Sequence, residues 1–342
     1  MIKLGTSAED IDKAAAILKN GGLAAFPTET VYGLGADAFN TRALAKVFEV
    51  KGRPHFDPLI IHIADIDSLK QIASLDRFDL RLREQLDLLV KSFWPGPLTL
   101  VLPKQANVPD LATAGLPTVA VRFPSHPIAQ QLIAQSTGAV AAPSANPFGR
   151  LSPSRAEHVI ETLGDSIDCV IDGGPCTVGV ESTVLELDPA PRILRHGGIS
   201  RENLEAVIGP VELGPKNKTD LKLHEQQSAV SSPGMLQSHY APSIPLVLHS
   251  PGEMSALPYK AVEAYLFFSG TSRNLWLSNN NTLNRETILT LSEKEDLIEA
   301  AANLFEYLHI LDRTGAARIH AETVPDKGVG AAVNDRLRRA SS

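Results

Sequence analysis

Apolar residues recur with two different periods along the first two hundred residues. From Ile11 to Leu18 they return every three or four positions, which predicts a helix that Ser7 caps and Gly21 ends. Short apolar runs between such helices predict strands. This alternation predicts an α/β domain around a largely buried sheet. The remaining predicted helices are 41–50, 154–164 and 200–209, and the predicted strands are 23–26, 59–63, 98–102, 119–121, 139–142, 170–171 and 183–187.

The hydrophobic pattern changes between residues 210 and 245. Periodicity disappears there, and Lys, Gln, Ser, Pro and Gly dominate, as is typical of a linker. Strands at 246–248, 265–268 and 318–321, a helix at 292–311 and a terminal helix after Gly330 are predicted beyond it. We therefore expect a domain at 1–209, a linker or lid at 210–245 and a smaller, Rossmann-like α/β domain at 246–342.

The amino-acid composition is that of a globular protein and excludes several other classes. Of the 342 residues, 43% are hydrophobic and 21% are charged, which is typical of a globular chain. The formal charge of −7 argues against non-specific binding to nucleic acid. Cys169 and Cys176 form no CxxC pattern, and no apolar run has the ~20 residues of a membrane span. The amino-terminal residues lack the apolar stretch of a signal peptide, so a cytosolic protein is expected.

The segment Pro27–Gly35 places hydroxyls, a carboxylate and two glycines directly after a strand. Ligands of open α/β sheets bind beyond strand ends, although a plain polar turn fits this composition equally well. Gly33 and Gly35 lack the third glycine of a dinucleotide fingerprint, and no P-loop pattern occurs in the chain. A nucleotide would have to be held in another way.

Lys51 and Arg53 leave the end of a predicted helix on a turn that contains glycine and proline. Two cations on a rigid turn can face one polyphosphate. Taken alone, the pattern slightly favours a simpler interpretation, in which Lys51 complements the helix dipole and Arg53 is solvated.

Further polar residues follow other predicted strands. Arg122 ends an apolar strand, where a buried cation needs an anionic partner such as a carboxylate of the protein or of a substrate. Several such strand ends with three arginines predict a ligand crater at one edge of the sheet. The sequence contains no hydrolytic triad and no transition-metal motif. Mg²⁺ could still arrive with a nucleotide, bound mostly by phosphate oxygens and water. His158, on a helix that a capping box at Ser154 opens, is predicted to be a solvated surface residue.

The motifs resemble a known family. The runs PTETVYGLGADA, KGRPHFDPL, WPGPLTLVLP, VAVRFP, APSANPFGRLSP and GVESTV occur in the order found in the YrdC-like catalytic domain. The run SPGMLQSHYAP resembles the linker of the long, two-domain threonylcarbamoyl-AMP synthases. The resemblance implies an open twisted sheet with a ligand crater and a smaller carboxyl-terminal domain.

The resemblance also implies a reaction. In that family L-threonine, bicarbonate and ATP, with Mg²⁺, give threonylcarbamoyl-AMP and pyrophosphate. A separate transferase complex then uses the adenylate to modify tRNA. No stable binding of nucleic acid and no membrane association are implied for the synthase itself.

Site residues are carried over by motif, with Lys51 and Arg53 as the catalytic cations. Asp57 departs from the asparagine of many relatives, and a carboxylate near phosphates is unfavourable unless it faces Mg²⁺ or the ribose. The remaining positions implied around ATP are Thr118, Ser144, Asn146, Ser152, Arg195 and Tyr240, and those implied around threonine are Thr30, His62, Arg122, Ala142 and Ser182.

The sequence disfavours two other functions. An RNA-binding module is disfavoured by the net charge, the 5% of aromatic residues and the absence of RNA-binding motifs. Carbamoyl transfer from carbamoyl phosphate is disfavoured because the chain lacks the acylphosphatase and zinc-finger segments of the carbamoyltransferases that contain a YrdC-like module.

Because the linker contains Met235, His239 and Tyr240, we expect it to act as a lid over the nucleotide.

Overall fold

The computed structural model describes residues 1–76, 78–214, 240–280 and 286–342. The amino-terminal part forms an α/β unit around a large sheet. Its strands are β1 (Ile2–Leu4), β2 (Ala24–Phe26), β3 (Gly33–Asp37), β4 (Ile60–Ile63), β5 (Leu98–Pro103), β6 (Thr118–Arg122), β7 (Ala139–Ala141), β8 (Cys169–Ile171), β9 (Thr183–Glu186), β10 (Arg192–Arg195) and β11 (Glu212–Leu213). Its α-helices are α1 (Ala8–Lys19), α2 (Thr41–Lys51), α3 (Leu69–Ile72), α4 (Leu80–Phe93), α5 (Asp110–Thr113), α6 (Pro127–Gln135), α7 (Ala156–Leu163) and α8 (Arg201–Ile208).

The eleven strands form one mixed sheet in the order β1-β8-β2-β3-β7-β4-β6-β5-β9-β10-β11. The sheet contains both parallel pairs, such as β4–β6, and antiparallel pairs, such as β5–β6. Alternate residues of β6 face opposite sides of this sheet. Val119 and Val121 pack into the largest apolar cluster with helices α4 and α8, whereas Ala120 belongs to a small apolar cluster on the other face. That second face carries the candidate site.

The carboxyl-terminal part contains a smaller, parallel sheet. Its strands are β12 (Leu246–His249), β13 (Ala264–Ser269), β14 (Ile288–Ser292) and β15 (Ile319–Glu322), and its helices are α9 (Pro251–Ala256), α10 (Gly270–Asn279), α11 (Leu297–Asp312) and α12 (Gly330–Ala340). All strand pairs in the order β12-β15-β13-β14 are parallel. The predicted α/β architecture is confirmed in both parts. No helix in the described ranges is long and apolar enough to cross a membrane.

An apolar cluster joins the two parts of the chain. Val31 and Val180, from the first part, share it with Tyr240 and with Phe305 of α11. Gly179 lets α11 approach, because a Cβ atom there would lie 2.3 Å from the carbonyl oxygen of Ala301. Its φ of +72° also favours glycine. Helix α11 of the carboxyl-terminal part is therefore packed against the segment that leads to the candidate site.

Most predicted elements are confirmed to within one or two residues, but two helix starts were wrong. The helix predicted from Ser292 begins at Leu297, because the Ser292 hydroxyl accepts backbone hydrogen bonds from Lys294 and Asp296 and so forms a turn. The predicted capping box at Ser154 is also wrong. Residue Arg155 is the N-cap of α7, and no side chain caps it.

His158 is another correction. It is buried and not solvated, with its ring stacked on that of His309 at a centroid distance of 3.7 Å. Burial, followed by the charge of His309, lowers the pKa of His158 to about 3. The helical period alone could not reveal this contact, because α11 lies more than a hundred residues further along the chain.

Strand β3 was not predicted, since its sequence GLGAD lacks β-branched residues. Its glycines are required by close packing. A Cβ atom at Gly35 would lie 2.8 Å from Phe26 Cε1 and 2.9 Å from Val140 Cγ1. Other elements absent from the predictions are β1, β10, β11, β14, α3, α4, α5, α6, α9 and α10.

Candidate active site

Polar side chains from distant segments surround one cavity on the second face of the large sheet. We call this cavity the crater. It does not lie beyond one edge of the sheet, as the strand ends had suggested. Because the sheet is mixed, the carboxyl ends of its strands do not all meet at one edge. Nine predicted site residues line the crater: Thr30, Arg53, His62, Arg122, Ala142, Ser144, Ser182, Arg195 and Tyr240.

Arg122, at the end of β6, is buried against two residues of the Pro27–Gly35 segment. Its guanidinium lies 2.7 Å from Glu29 Oε1 and donates a hydrogen bond of 2.8 Å to the Thr30 hydroxyl. Burial alone would raise the pKa of Glu29, but the charge and hydrogen bond of Arg122 outweigh it and lower this pKa. The carboxylate therefore stays ionised and fixes the direction of Arg122.

His62 lies beside Arg122 on the neighbouring strand β4. Its Nδ1 is 3.2 Å from the carbonyl oxygen of Ile60. Burial, together with the positive charge of Arg122, lowers the pKa of His62 to about 3. At neutral pH the crater thus contains a neutral imidazole that can form hydrogen bonds without adding charge.

Arg53 is held by the turn that follows α2. Gly52 ends this helix in the left-handed conformation, with φ of 60°. The Arg53 guanidinium lies 2.9 Å from Asp57 Oδ1 and donates hydrogen bonds to the carbonyl oxygens of Asp57 and Pro58. Burial lowers the pKa of Arg53, and Asp57 opposes that effect. Asp57 therefore acts as the counterion of Arg53 in this arrangement and does not itself line the crater.

Lys51 lies behind the crater wall. Its Nζ donates hydrogen bonds to the carbonyl oxygen of Ser144, at 2.5 Å, and to that of Asn146. Burial, followed by the charge of Arg53, lowers the pKa of Lys51. Asn146 is also behind the wall, where its side-chain amide donates to the carbonyl oxygens of Pro147 and Arg150. These contacts position the loop that presents Ser144 to the crater.

Arg195, at the end of β10, closes the opposite side of the crater. Its guanidinium donates to the Ser182 carbonyl oxygen at 3.0 Å and to the Ser182 hydroxyl at 3.1 Å. That hydroxyl lies 2.7 Å from the hydroxyl of Thr99. Burial lowers the pKa of Arg195. Tyr240 completes this side with a buried ring.

The carboxyl-terminal part also contributes to this region, through a residue that was not predicted. Arg336 of α12 is fully buried, and its Nε donates to Glu181 Oε2 at 2.7 Å. Its guanidinium lies 5.0 Å from the centre of the Tyr240 ring. Glu181 lines the crater and accepts a hydrogen bond of 2.6 Å from Ser152. The sequence around Arg336 carries no signal for this contact, because a long-range ion pair leaves no local pattern.

Ser152 and Thr118 are two further predicted residues that do not line the crater. Ser152 lies behind Glu181, and Thr118 lies at the far end of β6 from Arg122. Thr118 shares the crater face of the strand with Arg122, since the two are four positions apart. The rest of the predicted lid, including Met235 and His239, lies outside the described residues.

The described residues contain no group of three or more His, Cys, Asp or Glu side chains that could hold a metal ion. The carboxylates that line the crater or contact its arginines, Glu29, Asp57 and Glu181, each pair with an arginine. The site is therefore built for anions. Buried guanidinium groups supply its charge, and hydroxyls supply its remaining polarity.

Comparison with known proteins places this arrangement in a family. A family model described as "Telomere recombination" matches residues 16–197, and one described as "Threonylcarbamoyl-AMP synthase, C-terminal domain" matches residues 199–342. The threonylcarbamoyl-AMP synthase of Pyrococcus abyssi is 42% identical over 329 residues, which are 96% of this chain and 93% of that protein. The chain belongs to the threonylcarbamoyl-AMP synthase family.

Further relatives agree with this membership. The threonylcarbamoyl-AMP synthase of Bacillus subtilis is 42% identical over 346 residues, which are 99% of this chain and 95% of that protein. The crystal structure of P. abyssi Sua5 complexed with L-threonine superposes with a TM-score of 0.85 at 39% identity, over 100% of this chain and 98% of that one. The chain is thus an enzyme of the nucleotidyltransferase type, with a YrdC-like domain followed by a carboxyl-terminal domain.

Proposed function

We propose that the enzyme condenses L-threonine, bicarbonate and ATP into threonylcarbamoyl-AMP and pyrophosphate. The observation that carries this proposal is the convergence of Arg53, Arg122 and Arg195 on one cavity. Threonine carboxylate, carbamate and triphosphate are all anions, so their alignment needs such a set of fixed cations. The names of the relatives and the threonine bound in the P. abyssi structure support the same substrates.

The reaction requires two bond-forming steps. The threonine amine attacks the carbon of bicarbonate, and loss of water leaves a carbamate. A carbamate oxygen then attacks the α-phosphorus of ATP, and the bond to the β-phosphate breaks as pyrophosphate departs. In this proposal Arg122 binds the threonine carboxylate, while Arg53 and Arg195 face the phosphates. Neutral His62 offers hydrogen bonds beside the amine without repelling the cations.

The size of the crater bears on how substrates enter. Its free volume is about 50 Å³, on the order of a few water molecules. Threonine and ATP therefore require a wider arrangement, and movement of the buried Tyr240 ring would provide room. The same sheet face extends about 13 Å from Arg122 to Thr118, at 3.3 Å per residue. Such a length suits an extended nucleotide and supports the predicted position of Thr118 near ATP.

Mg²⁺ is proposed to accompany ATP. The carboxylates nearest the crater are engaged by arginines, so the phosphate oxygens and water would supply most of the ligands of the ion. The ion would neutralise charge on the phosphates. The protein residues would orient the two substrates and exclude water from the labile adenylate.

The decisive experiment is an assay of pyrophosphate release by the purified full-length enzyme. We expect release only when ATP, threonine and bicarbonate are all present, with threonylcarbamoyl-AMP as the adenylated product in mass spectrometry. Release without threonine, or carbamoyl transfer from carbamoyl phosphate in its place, would contradict the proposal. Since the adenylate is an activated acyl group, we further propose that a separate transferase passes it to tRNA in the cytoplasm. The enzyme itself would not bind nucleic acid stably.

A further inference from the structure

A second cavity lies in the carboxyl-terminal part, at the carboxyl ends of its parallel strands. It has a volume of about 610 Å³ and is lined by the ends of, or the segments that follow, all four strands β12, β13, β14 and β15. Cavities at this position of a parallel α/β sheet commonly hold ligands. Nothing in the proposed synthesis of the adenylate uses this one. It is separate from the crater, with which it shares no lining residue.

The last residue of β15, Glu322, lines the cavity although only 1% of its surface is exposed. Its Oε2 accepts hydrogen bonds of 2.7 Å from the Phe268 amide and from the Ser272 hydroxyl. Within the described ranges no hydrogen bond reaches Oε1, and no cationic side chain pairs with this carboxyl group. Burial, reinforced by the charge of Glu295, raises the pKa of Glu322. A buried carboxyl group without a cation is costly unless something else pairs with it.

The remaining walls indicate what could fill the space. Glu295 adds a second acidic side chain, and none of the described lining residues is basic. Phe268, Leu275 and Val324 provide apolar surface, while the Thr271 hydroxyl provides polar contact. The balance of charge is the reverse of that in the crater, so phosphates and carboxylates are disfavoured here. A cation with a small apolar body satisfies both the acid and the walls.

We propose that this cavity is a binding site for a small amine, whose ammonium group pairs with Glu322 and whose apolar body packs against Phe268 and Leu275. The ammonium group donates to Oε1 and keeps the carboxylate ionised. The site thereby gives the carboxyl-terminal part a ligand of its own, in addition to its packing against the catalytic part.

The test uses two probes of equal shape and different charge, benzylamine and benzyl alcohol, with the full-length enzyme. Binding is measured by calorimetry and by ligand-observed NMR at neutral pH. We expect benzylamine to bind with a dissociation constant on the order of 1 mM, as fragments of this size do. Benzyl alcohol should bind at least about tenfold more weakly. Glu322→Gln should reduce the affinity for benzylamine to about that for the alcohol, because the neutral amide cannot form an ion pair with an ammonium group.

Two further variants complete the design. Glu84→Gln removes an exposed carboxylate of α4 and should leave the binding of both probes unchanged. Gly252→Phe should weaken both, since a Cβ atom at this lining position meets no other atom within 4 Å and the ring would occupy part of the cavity. This variant leaves the contacts of Glu322 intact, so it serves even if Glu322→Gln folds poorly. Equal affinity for the two probes would overturn the proposal, and so would benzylamine binding that Gly252→Phe leaves unchanged. Absence of benzylamine binding at about 10 mM, tenfold above the expected constant, would also overturn it.

Discussion

The two cavities show opposite ways of handling buried charge. In the crater, the cations are built in and are held by internal counterions, as Arg53 is by Asp57 and Arg122 by Glu29. These pairs fix each guanidinium before any substrate arrives, which favours reactions that develop negative charge. In the carboxyl-terminal cavity, Glu322 has no cationic partner within the described ranges. In the crater each of these two charged groups already has a counterion of the protein, whereas in the carboxyl-terminal cavity the described residues supply no counterion for Glu322.

The predicted arginines of the crater are buried, and Arg53 and Arg122 are paired with carboxylates. A guanidinium is acceptable inside a protein when hydrogen bonds and a carboxylate surround it. The crater can therefore exclude water and still present charge.

Arg53→Ala should reduce adenylate formation about 10²–10³-fold, the usual loss for one fixed electrostatic donor. The rate of threonine-dependent pyrophosphate release measures the effect, and circular dichroism checks the fold. Because the change leaves Asp57 buried without Arg53, the double variant Arg53→Ala/Asp57→Asn should recover stability but not activity. Arg42→Ala, an exposed arginine of α2, is the matched control. Near-normal turnover in a folded Arg53→Ala enzyme would mean that Arg53 serves only as the buried structural partner of Asp57.

Arg122→Leu should weaken threonine binding about 10²-fold and ATP binding much less, since the guanidinium is proposed to bind the amino-acid carboxylate. Calorimetry with each ligand separately gives the two affinities. Glu29→Gln in the same chain removes the carboxylate that would otherwise be left unpaired. Equal loss of affinity for threonine and ATP, with or without this second change, would contradict the assignment of Arg122 to threonine.

The sequence predicted more of the crater wall than of its support. Arg122 was identified because it ends a predicted apolar strand, and Ser182 because it directly precedes one. The motif around Arg195 identified that residue although its strand, β10, was not predicted. The counterion role of Asp57 was not predicted, since it depends on the path of the turn after Gly52. Local sequence patterns predict the secondary structure around a residue. They do not report which distant side chain will pair with it.

The fold shows the same limit. Strands with β-branched residues were predicted well, whereas the glycine-rich β3 was not. Gly35 of this strand is required because Phe26 and Val140 leave no room for a side chain, which the local sequence does not reveal. The burial of His158 was missed because its partner His309 belongs to the carboxyl-terminal part. Contacts between the two parts of the chain were therefore the least predictable feature.

Arg336 offers a test of how strongly the carboxyl-terminal part supports the crater. Arg336→Met should lower kcat/KM for ATP about tenfold, because Glu181 and Tyr240 lose the group that positions them. Arg336→Lys should restore part of the activity, while Arg338→Met, on the exposed side of the same helix, should have no effect.

A double-mutant cycle with Glu181→Gln distinguishes positioning from general stability. Assays well below the melting temperature should show that the effects of Arg336→Met and Glu181→Gln on kcat/KM are not additive. Additive effects, or a change only in melting temperature, would mean that Arg336 stabilises the fold without positioning the crater.

The smallest effect should appear at the stacked pair His158 and His309, in stability and not in activity. Their folded pKa values are about 3 and about 4, each depressed first by burial, and lie below the ordinary value of 6.5. As the pH falls below about 6.5, these histidines bind protons in the unfolded chain but stay neutral in the folded chain. The free energy of unfolding therefore falls as the pH falls. Between pH 7 and pH 5 each histidine should contribute a loss of at most about 2 kcal/mol. The double variant His158→Phe/His309→Phe should show a smaller drop in melting temperature over this range, whereas His55→Phe, at an exposed position, should match the parent enzyme. An unchanged drop in the double variant would show that the acid sensitivity arises elsewhere, for example at buried His62.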